Sequence, residues 1–394
     1  MQQENAKGQQ GELVWKNQKK LRSGYTTGSC GAAAAKAAAY MLLSGERAEQ
    51  VSLLTPKGVL LYLEVEEITF GEDFVSCAVR KDSGDDPDVT DKVLVFAQVS
   101  RCPGTGLILD GGEGVGRVTK KGLEQKIGEA AINRVPRRMI LEAVDEQREK
   151  ARYTGGLKII ISVPGGADLA NRTFNPRLGI QGGISILGTS GIVEPMSEKA
   201  LIDTIYLEMK VLKENGHDWC YVVPGNYGSD FLAQALGFDG EMAVKCSNYI
   251  GEMIDAAVGL KMKGVFLVGH VGKLIKLAAG VMNTHSRQAD CRMEVFAAHA
   301  AMAGAPCGIV KRLMECVTTT EAVEILKKEG LLKEVMGTVM KRIDFYLRQR
   351  AGGQLQIGAA VFSLEEGILG VTACAEMMLA SAGLREQTQK EKAE

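Results

Sequence analysis

The stretch LRSGYTTGSCGAAAAKAAAYMLL, residues 21–43, constrains this chain more than any other. Small and hydroxylated residues come first: Ser23, Gly24, Thr26, Thr27, Gly28 and Ser29. An alanine-rich run follows at once, and alanine has the strongest intrinsic helix preference. The segment therefore predicts a helix with a Ser/Thr cap. A helix start presents unpaired N–H groups and a partial positive charge, so hydroxyls and glycines there let an anion approach. Two readings stand side by side: an anion-binding helix start for a negatively charged substrate, and an N-capped helix packed closely on a sheet.

A chain of 394 residues is too long for one ordinary core, which predicts two domains. The apolar share of 45% and charged share of 24% are those of a globular protein. A net charge of −1 gives no support for a nucleic-acid binder, and aromatics at 5% argue against stacking platforms for single strands. The nine cysteines form no CxxC pair and, with no signal-like N-terminus, read as reduced thiols of a cytoplasmic protein. No apolar run reaches membrane-spanning length.

Residues 1–20 read as a flexible segment and 387–394 as a charged tail. Between 21 and 154 the pattern predicts an α+β domain. It holds a hairpin (51–54 and 59–65 around Pro56-Lys57-Gly58), strands at 74–79 and 93–99, and a helix over 137–150. The boundary is expected near Thr154-Gly155-Gly156. From 155 to 386, apolar runs end in glycine-rich loops and alternate with helical stretches, a three-layer α/β/α pattern around a parallel sheet. LKIIISV ends at Pro164-Gly165-Gly166, ISIL at Gly188-Thr189-Ser190-Gly191, WCYVV at Pro224-Gly225-Asn226 and GVFLV at Gly269-His270. All four loops are expected to gather at the carboxyl edge of one sheet, where ligands bind in such folds. The part after 290 is expected to be mostly helical, with a strand at 355–362.

GGEGVGR at 111–117 does not satisfy GxGxxG, and GHVGKL at 269–274 lacks the first glycine and the hydroxyl of a phosphate-binding loop. Neither a zinc spacing nor a GxSxG elbow occurs. No protein-bound metal is expected. Asp82, Asp85, Asp86, Asp88 and Asp91 form an acidic loop that is either a base-bearing segment or a solvated turn. His270, ending an apolar strand, is a candidate for proton transfer. Lys273 with Lys276, the group His285, Arg287 and Arg292, and the pair Arg172 and Arg177 are further basic candidates; solvated surface charge is the plainer reading of each.

At these motifs the chain resembles a known family. RSGYTTGSC…AAKAA, DSGDDPDVTD, GGEGVGRVTK, TFNPRLGIQGGISILGTSGIVEPMSEKAL and GHVGKLIKLAAGVMNTHS together resemble the cobalt-precorrin-5B C(1)-methyltransferases of the CbiD type, over about residues 20–380. The resemblance implies an α+β N-terminal domain and a Rossmann-like C-terminal domain. It also implies transfer of a methyl group from S-adenosylmethionine to C-1 of a cobalt-containing tetrapyrrole, giving cobalt-precorrin-6A in anaerobic cobalamin synthesis. Such a substrate carries many carboxylates, which suit helix N-termini and scattered Arg and Lys. The donor is already activated, so alignment and exclusion of water are the protein's main tasks.

With that reading, the methyl donor is expected at Gly165, Gly166, Gly188, Thr189, Ser190, Gly191, Gly225 and Asn226. The tetrapyrrole carboxylates are expected near Arg22, Thr26, Thr27 and Ser29, with His270 or Asp85 taking up a proton. Expected partners are the tetrapyrrole and, by hand-over, other corrin-pathway enzymes, with no nucleic acid and no membrane. Two other classes stay open: a nicotinamide-dependent oxidoreductase, decided by nicotinamide binding, and a tetrapyrrole carrier, decided by substrate binding without affinity for S-adenosylmethionine.

Overall fold

The computed structural model describes residues 13–16, 19–236 and 243–379. They fall into two units, Met1–Glu198 and Lys199–Glu394. The expected charged tail, 387–394, lies outside the described residues, as does most of the expected flexible segment 1–20. Part of that segment is nonetheless strand: β1 (Leu13–Lys16) pairs antiparallel with β2 (Lys19–Arg22).

In the first unit, β3 (Gly24–Tyr25) leads into the alanine helix α1 (Thr27–Ser44). Gly45, in the left-handed region at φ 77°, ends it, and its N–H closes on the Met41 carbonyl. Then come β4 (Gln50–Leu54), β5 (Leu60–Glu64), β6 (Glu66–Phe70), β7 (Phe74–Arg80), β8 (Leu94–Cys102), β9 (Leu107–Gly111) and β10 (Arg117–Val118). The unit continues with α2 (Arg134–Lys150), β11 (Gly156–Ser162), α3 (Gly166–Ala170), β12 (Ile180–Gln181) and β13 (Ile192–Val193). Only Lys36 and Tyr40 break the burial of α1 before its last turn. Alanine's small side chain lets one helix press against the β7–β8 sheet, α2 and the β4–β5 hairpin together. Lys36 escapes the apolar surroundings by donating to the Ser52 carbonyl and pairing with Glu146, both at 3.0 Å.

The main sheet of this unit runs β6-β7-β8-β11-β9. β11 pairs antiparallel with β8 and parallel with β9. This moves the expected boundary at 154–156: β11 is hydrogen-bonded on both sides within the first unit, and the division falls after residue 198. Its apolar run reads as a parallel-domain strand because a central strand under a helix layer is buried much as one in a doubly covered sheet. The ISIL run is not a strand; it makes only isolated bridges at Ile184 and Ile186.

The second unit carries α4 (Glu198–Glu214), β14 (Trp219–Val223), α5 (Asn226–Leu236), β15 (Val244–Lys245), α6 (Ile250–Gly259), β16 (Gly264–His270) and α7 (Val271–Leu274). A 3-10 turn (Ile275–Ala279), α8 (Arg292–Met302), α9 (Cys307–Glu315), α10 (Thr319–Lys328), α11 (Leu332–Ala351), β17 (Gln356–Ser363) and β18 (Gly367–Val371) follow. Its sheet runs β15-β14-β16-β17-β18, parallel except for β18. Alternation along β16 sends Val265 and Leu267 into a core with α6 and α11, and Phe266 and Val268 into a core with Leu232 of α5 and Phe362 of β17. Helices therefore cover both faces. From β14 the chain steps to β15 on one side, then crosses to β16 on the other. In open α/β sheets ligands bind at such a reversal, which here lies at the carboxyl ends of β14 and β16.

Candidate functional site

The start of α1 is closed by the protein itself. Thr26 is the N-cap and its Oγ1 accepts from the Ser29 N–H at 3.2 Å. Gly28 N–H donates to the Leu187 carbonyl at 2.8 Å, and Ser29 Oγ to the Gly191 carbonyl at 2.7 Å. Thr27 Oγ1 accepts from Leu187 N–H at 2.9 Å. Thr26, Thr27 and Ser29 are all buried. The 187–191 loop takes up the hydrogen-bonding groups that the expected anion would meet at this helix start, and all three hydroxyls are engaged within the protein. Gly188, at φ 136°, permits the contact, since a Cβ there would lie 2.2 Å from Thr26 Oγ1. Ser190 Oγ donates to the Ile192 carbonyl, Gly191 is buried, and Thr189 is exposed.

Gly165 and Gly166 belong to a second packed knot in the same unit. A Cβ at Gly166 would sit 2.2 Å from the Gly114 carbonyl oxygen, and one at Gly114 only 1.8 Å from that of Val163. The glycines at 111–117 and 163–166 thus allow two backbones to touch. The donor residues expected on one sheet edge are divided: 165, 166 and 188–191 lie in the first unit, Gly225 and Asn226 at the sheet of the second.

The acidic loop is a clamp. Asp82 forms a two-pronged pair with the Arg22 guanidinium at 2.6 and 2.8 Å, and that hydrogen bond holds its carboxyl well below the usual range. Arg22 is thereby neutralised. Asp85 accepts the Arg22 backbone N–H at 2.6 Å, Asp86 that of Met196 at 2.8 Å and Asp91 that of Ser83 at 2.8 Å. Lys81, with 2% of its side chain exposed, pairs with Asp88 at 2.7 Å and donates to Ser83. Burial works to raise the Asp88 carboxyl, but the Lys81 ammonium together with the Thr90 N–H and hydroxyl outweighs it, and the net displacement is downward. Lys81 is a residue the motif reading passed over. The signal was present, because it continues the inward phase of Val75, Cys77 and Val79 along β7.

At the carboxyl edge of the second sheet the groups are less occupied. A Cβ at Gly225, after β14, would meet nothing within 4 Å. Asn226 opens α5 and its Oδ1 accepts from Lys245 Nζ at 2.8 Å. Ser229 Oγ, on the first turn of α5, is buried without a partner. After β15, Ser247 is left-handed at φ 53°, a strained conformation for a residue other than glycine. Asn248 grips Thr284 through its backbone carbonyl at 3.0 Å and its Oδ1 at 3.2 Å.

His270 caps α7, its Nδ1 accepting the Gly272 N–H at 3.1 Å. A backbone N–H can only donate, so Nδ1 keeps its lone pair and the neutral ring carries its proton on Nε2. Burial pushes the imidazole below its usual value, with the Glu365 charge pulling the other way. Neutral His270 therefore offers a donor at Nε2. Its edge rests on Phe362, which stacks on Phe231 with centroids 4.0 Å apart. Lys276 is buried and donates to the Thr284 and Ala289 carbonyls at 3.2 and 2.8 Å, while Arg292 pairs with Asp290. Among the described residues there is no group of three or more His, Cys, Asp or Glu that could hold a metal, and no helix long and apolar enough to cross a membrane.

Residues 14–195 match the CbiD family profile and 283–373 that of the CbiD C-terminal domain. A Ruminiclostridium cellulolyticum protein named cobalt-precorrin-5B C(1)-methyltransferase is 50% identical over 352 residues, 89% of this chain and 91% of that protein. This chain belongs to the CbiD family. A relative of the same name from a Thermoanaerobacter species is 46% identical over 90% of this chain and 96% of its own length. The crystal structure of the cobalamin biosynthesis protein CbiD from Archaeoglobus fulgidus is 30% identical, covering 70% of this chain and 86% of that one, with a TM-score of 0.39. The first match spans the α1 start and the acidic clamp, the second the 283–291 loop and the helices after it.

Proposed function

We propose that this chain is a cobalt-precorrin-5B C(1)-methyltransferase, which methylates C-1 of the cobalt-containing tetrapyrrole to give cobalt-precorrin-6A in anaerobic cobalamin synthesis. The observation that carries this is 50% identity to a protein of that name over 89% of the chain. The methyl donor we propose is S-adenosylmethionine, whose sulfonium supplies an activated methyl group. When the methyl leaves, the sulfur becomes a neutral thioether, and the macrocycle releases one proton to balance the new C–C bond.

We read the second unit as Rossmann-like, because its strands in space follow the chain order second, first, third, fourth, fifth, and ligands in such sheets sit at the reversal. Gly225, Asn226 and His270 stand there, and the open space at Gly225 suits a ligand lying against the backbone. Asn226 orients and His270 Nε2–H donates, while Phe362, itself stacked on Phe231, packs against the ring of His270. The glycines 165, 166, 188 and 191 we assign to packing. A cytoplasmic setting and hand-over of the tetrapyrrole from other corrin-pathway enzymes complete the reading.

The test is incubation without oxygen with S-adenosylmethionine and cobalt-precorrin-5B, followed by mass analysis. Gain of one methyl at C-1 is the expected result. Binding of the tetrapyrrole with no methyl gained by folded protein would remove the assignment.

A further inference from the structure

Lys273 sits in α7, three residues past the end of β16, and is half-buried. The other lysines of this edge are engaged: Lys245 by Asn226, Lys276 by two carbonyls. Lys273 has no hydrogen bond or ion pair among the described residues. The charged and titratable groups that act on it are Cys246, directly after β15, and Lys276. Cys246 is fully buried and its thiol is pushed up to about 12, so it stays neutral at physiological pH and supplies no counterion. Lys276 is a like charge. A half-buried ammonium without an anion is unfavourable and has to be offset.

Its place in the fold says what offsets it. The sheet order β15-β14-β16 puts β14 between the strand before Cys246 and the strand before Lys273. Lys273 follows β16 and Cys246 follows β15, so the carboxyl end of β14 lies between these two positions along the sheet edge. That end is the reversal point, beside Gly225 with its open surroundings and the unpartnered Ser229 hydroxyl. We propose that Lys273 is the anchor of a carboxylate-binding subsite at this sheet edge, with His270 Nε2–H as the neighbouring neutral donor. The proposal rests on the function read above, whose two ligands both carry carboxylates: the amino-acid end of S-adenosylmethionine and the side chains of the tetrapyrrole.

The test is calorimetric binding to the full chain, wild type against Lys273→Met and Lys273→Arg. The probes are S-adenosylhomocysteine, 5′-methylthioadenosine, which lacks the carboxylate, and cobalt-precorrin-5B. A charged hydrogen bond predicts that Lys273→Met weakens S-adenosylhomocysteine roughly ten- to a hundredfold. Methylthioadenosine should be unaffected, and Lys273→Arg should recover most of the loss. The same loss confined to cobalt-precorrin-5B would support the subsite with the tetrapyrrole as its source. In wild type, affinity should fall as pH rises through the lysine's lowered pKa, a fall that Lys273→Arg abolishes because guanidinium stays charged. Lys273→Met removes a partly desolvated charge and should melt no lower than wild type. Unchanged affinity for both carboxylate ligands in the folded Met variant overturns the subsite. Failure of wild type to bind either ligand would instead remove the functional reading, and the subsite with it.

Discussion

A Cβ at Gly114, in the loop after β9, would overlap the Val163 carbonyl at 1.8 Å, whereas one at Gly225, in the loop after β14, would meet nothing within 4 Å. The sequence marks the Gly225 loop as a ligand edge; Gly114 lies in a glycine-rich stretch that fails the dinucleotide motif and packs against the 163–166 loop, which was expected at that same edge. In the first unit the glycines let chain touch chain, and Thr26, Thr27 and Ser29 beside them are hydrogen-bonded within the protein, with Ser23 Oγ buried and unpartnered as the exception. In the second, glycine leaves space, and a hydroxyl and an ammonium nearby have no partner. Glycine density therefore marks close backbone approach without saying to what. Unsatisfied polar groups are the better sign of a ligand, because folding otherwise satisfies them.

Substitutions can break this contrast. Asp88→Ala should cost most, about 3–5 kcal/mol by urea denaturation, because it strands the buried Lys81 ammonium. The sign of its pH dependence follows from the depressed Asp88 pKa: in wild type the contribution is present above the unfolded value near 4 and is lost as pH falls through the folded one. That acid-side loss should be absent from the variant's stability profile. Gly114→Ala combines a φ of 70° with a backbone clash and should cost about 3 kcal/mol in the same assay. Thr26→Ala removes a cap and should cost about 1 kcal/mol while leaving S-adenosylhomocysteine affinity unchanged. Weaker affinity there would return the α1 start to the binding site. Gly225→Ala should change stability by less than about 0.5 kcal/mol yet weaken S-adenosylhomocysteine binding several-fold. If Gly225→Ala destabilises the fold as Gly114→Ala does, the contrast between the two loops disappears.

Much of the fold was legible because it rests on local pattern. The alanine run, the Pro56-Lys57-Gly58 hairpin and the alternation of short apolar strands with helices in the second unit all match the elements found. Position in a sheet was not legible. Burial of β11 is the same whether its neighbours belong to one domain or the next, so its run suggested a boundary that the pairing with β8 and β9 removes. The short β18 was missed because glycines at 367 and 370 interrupt its apolar residues Ile368, Leu369 and Val371, which lie at the sheet's edge. At the site, residue types identified His270 as noteworthy, but its tautomer depends on a bond to Gly272 that only the α7 turn creates. Lys273 and Lys276 look alike three residues apart; only the folded loop 281–291 shows that one is engaged and the other is not.

The closure of α1 by residues 187–191 also sets a schedule for biosynthesis. Thr27 meets Leu187 across 160 positions, and Tyr25 pairs with Ile192. A ribosome adding about 5–20 residues per second takes roughly ten to thirty seconds to make that span. Through that interval the nascent alanine helix waits with its first turn unanswered, and the first unit can finish folding only after nearly all of its sequence has emerged.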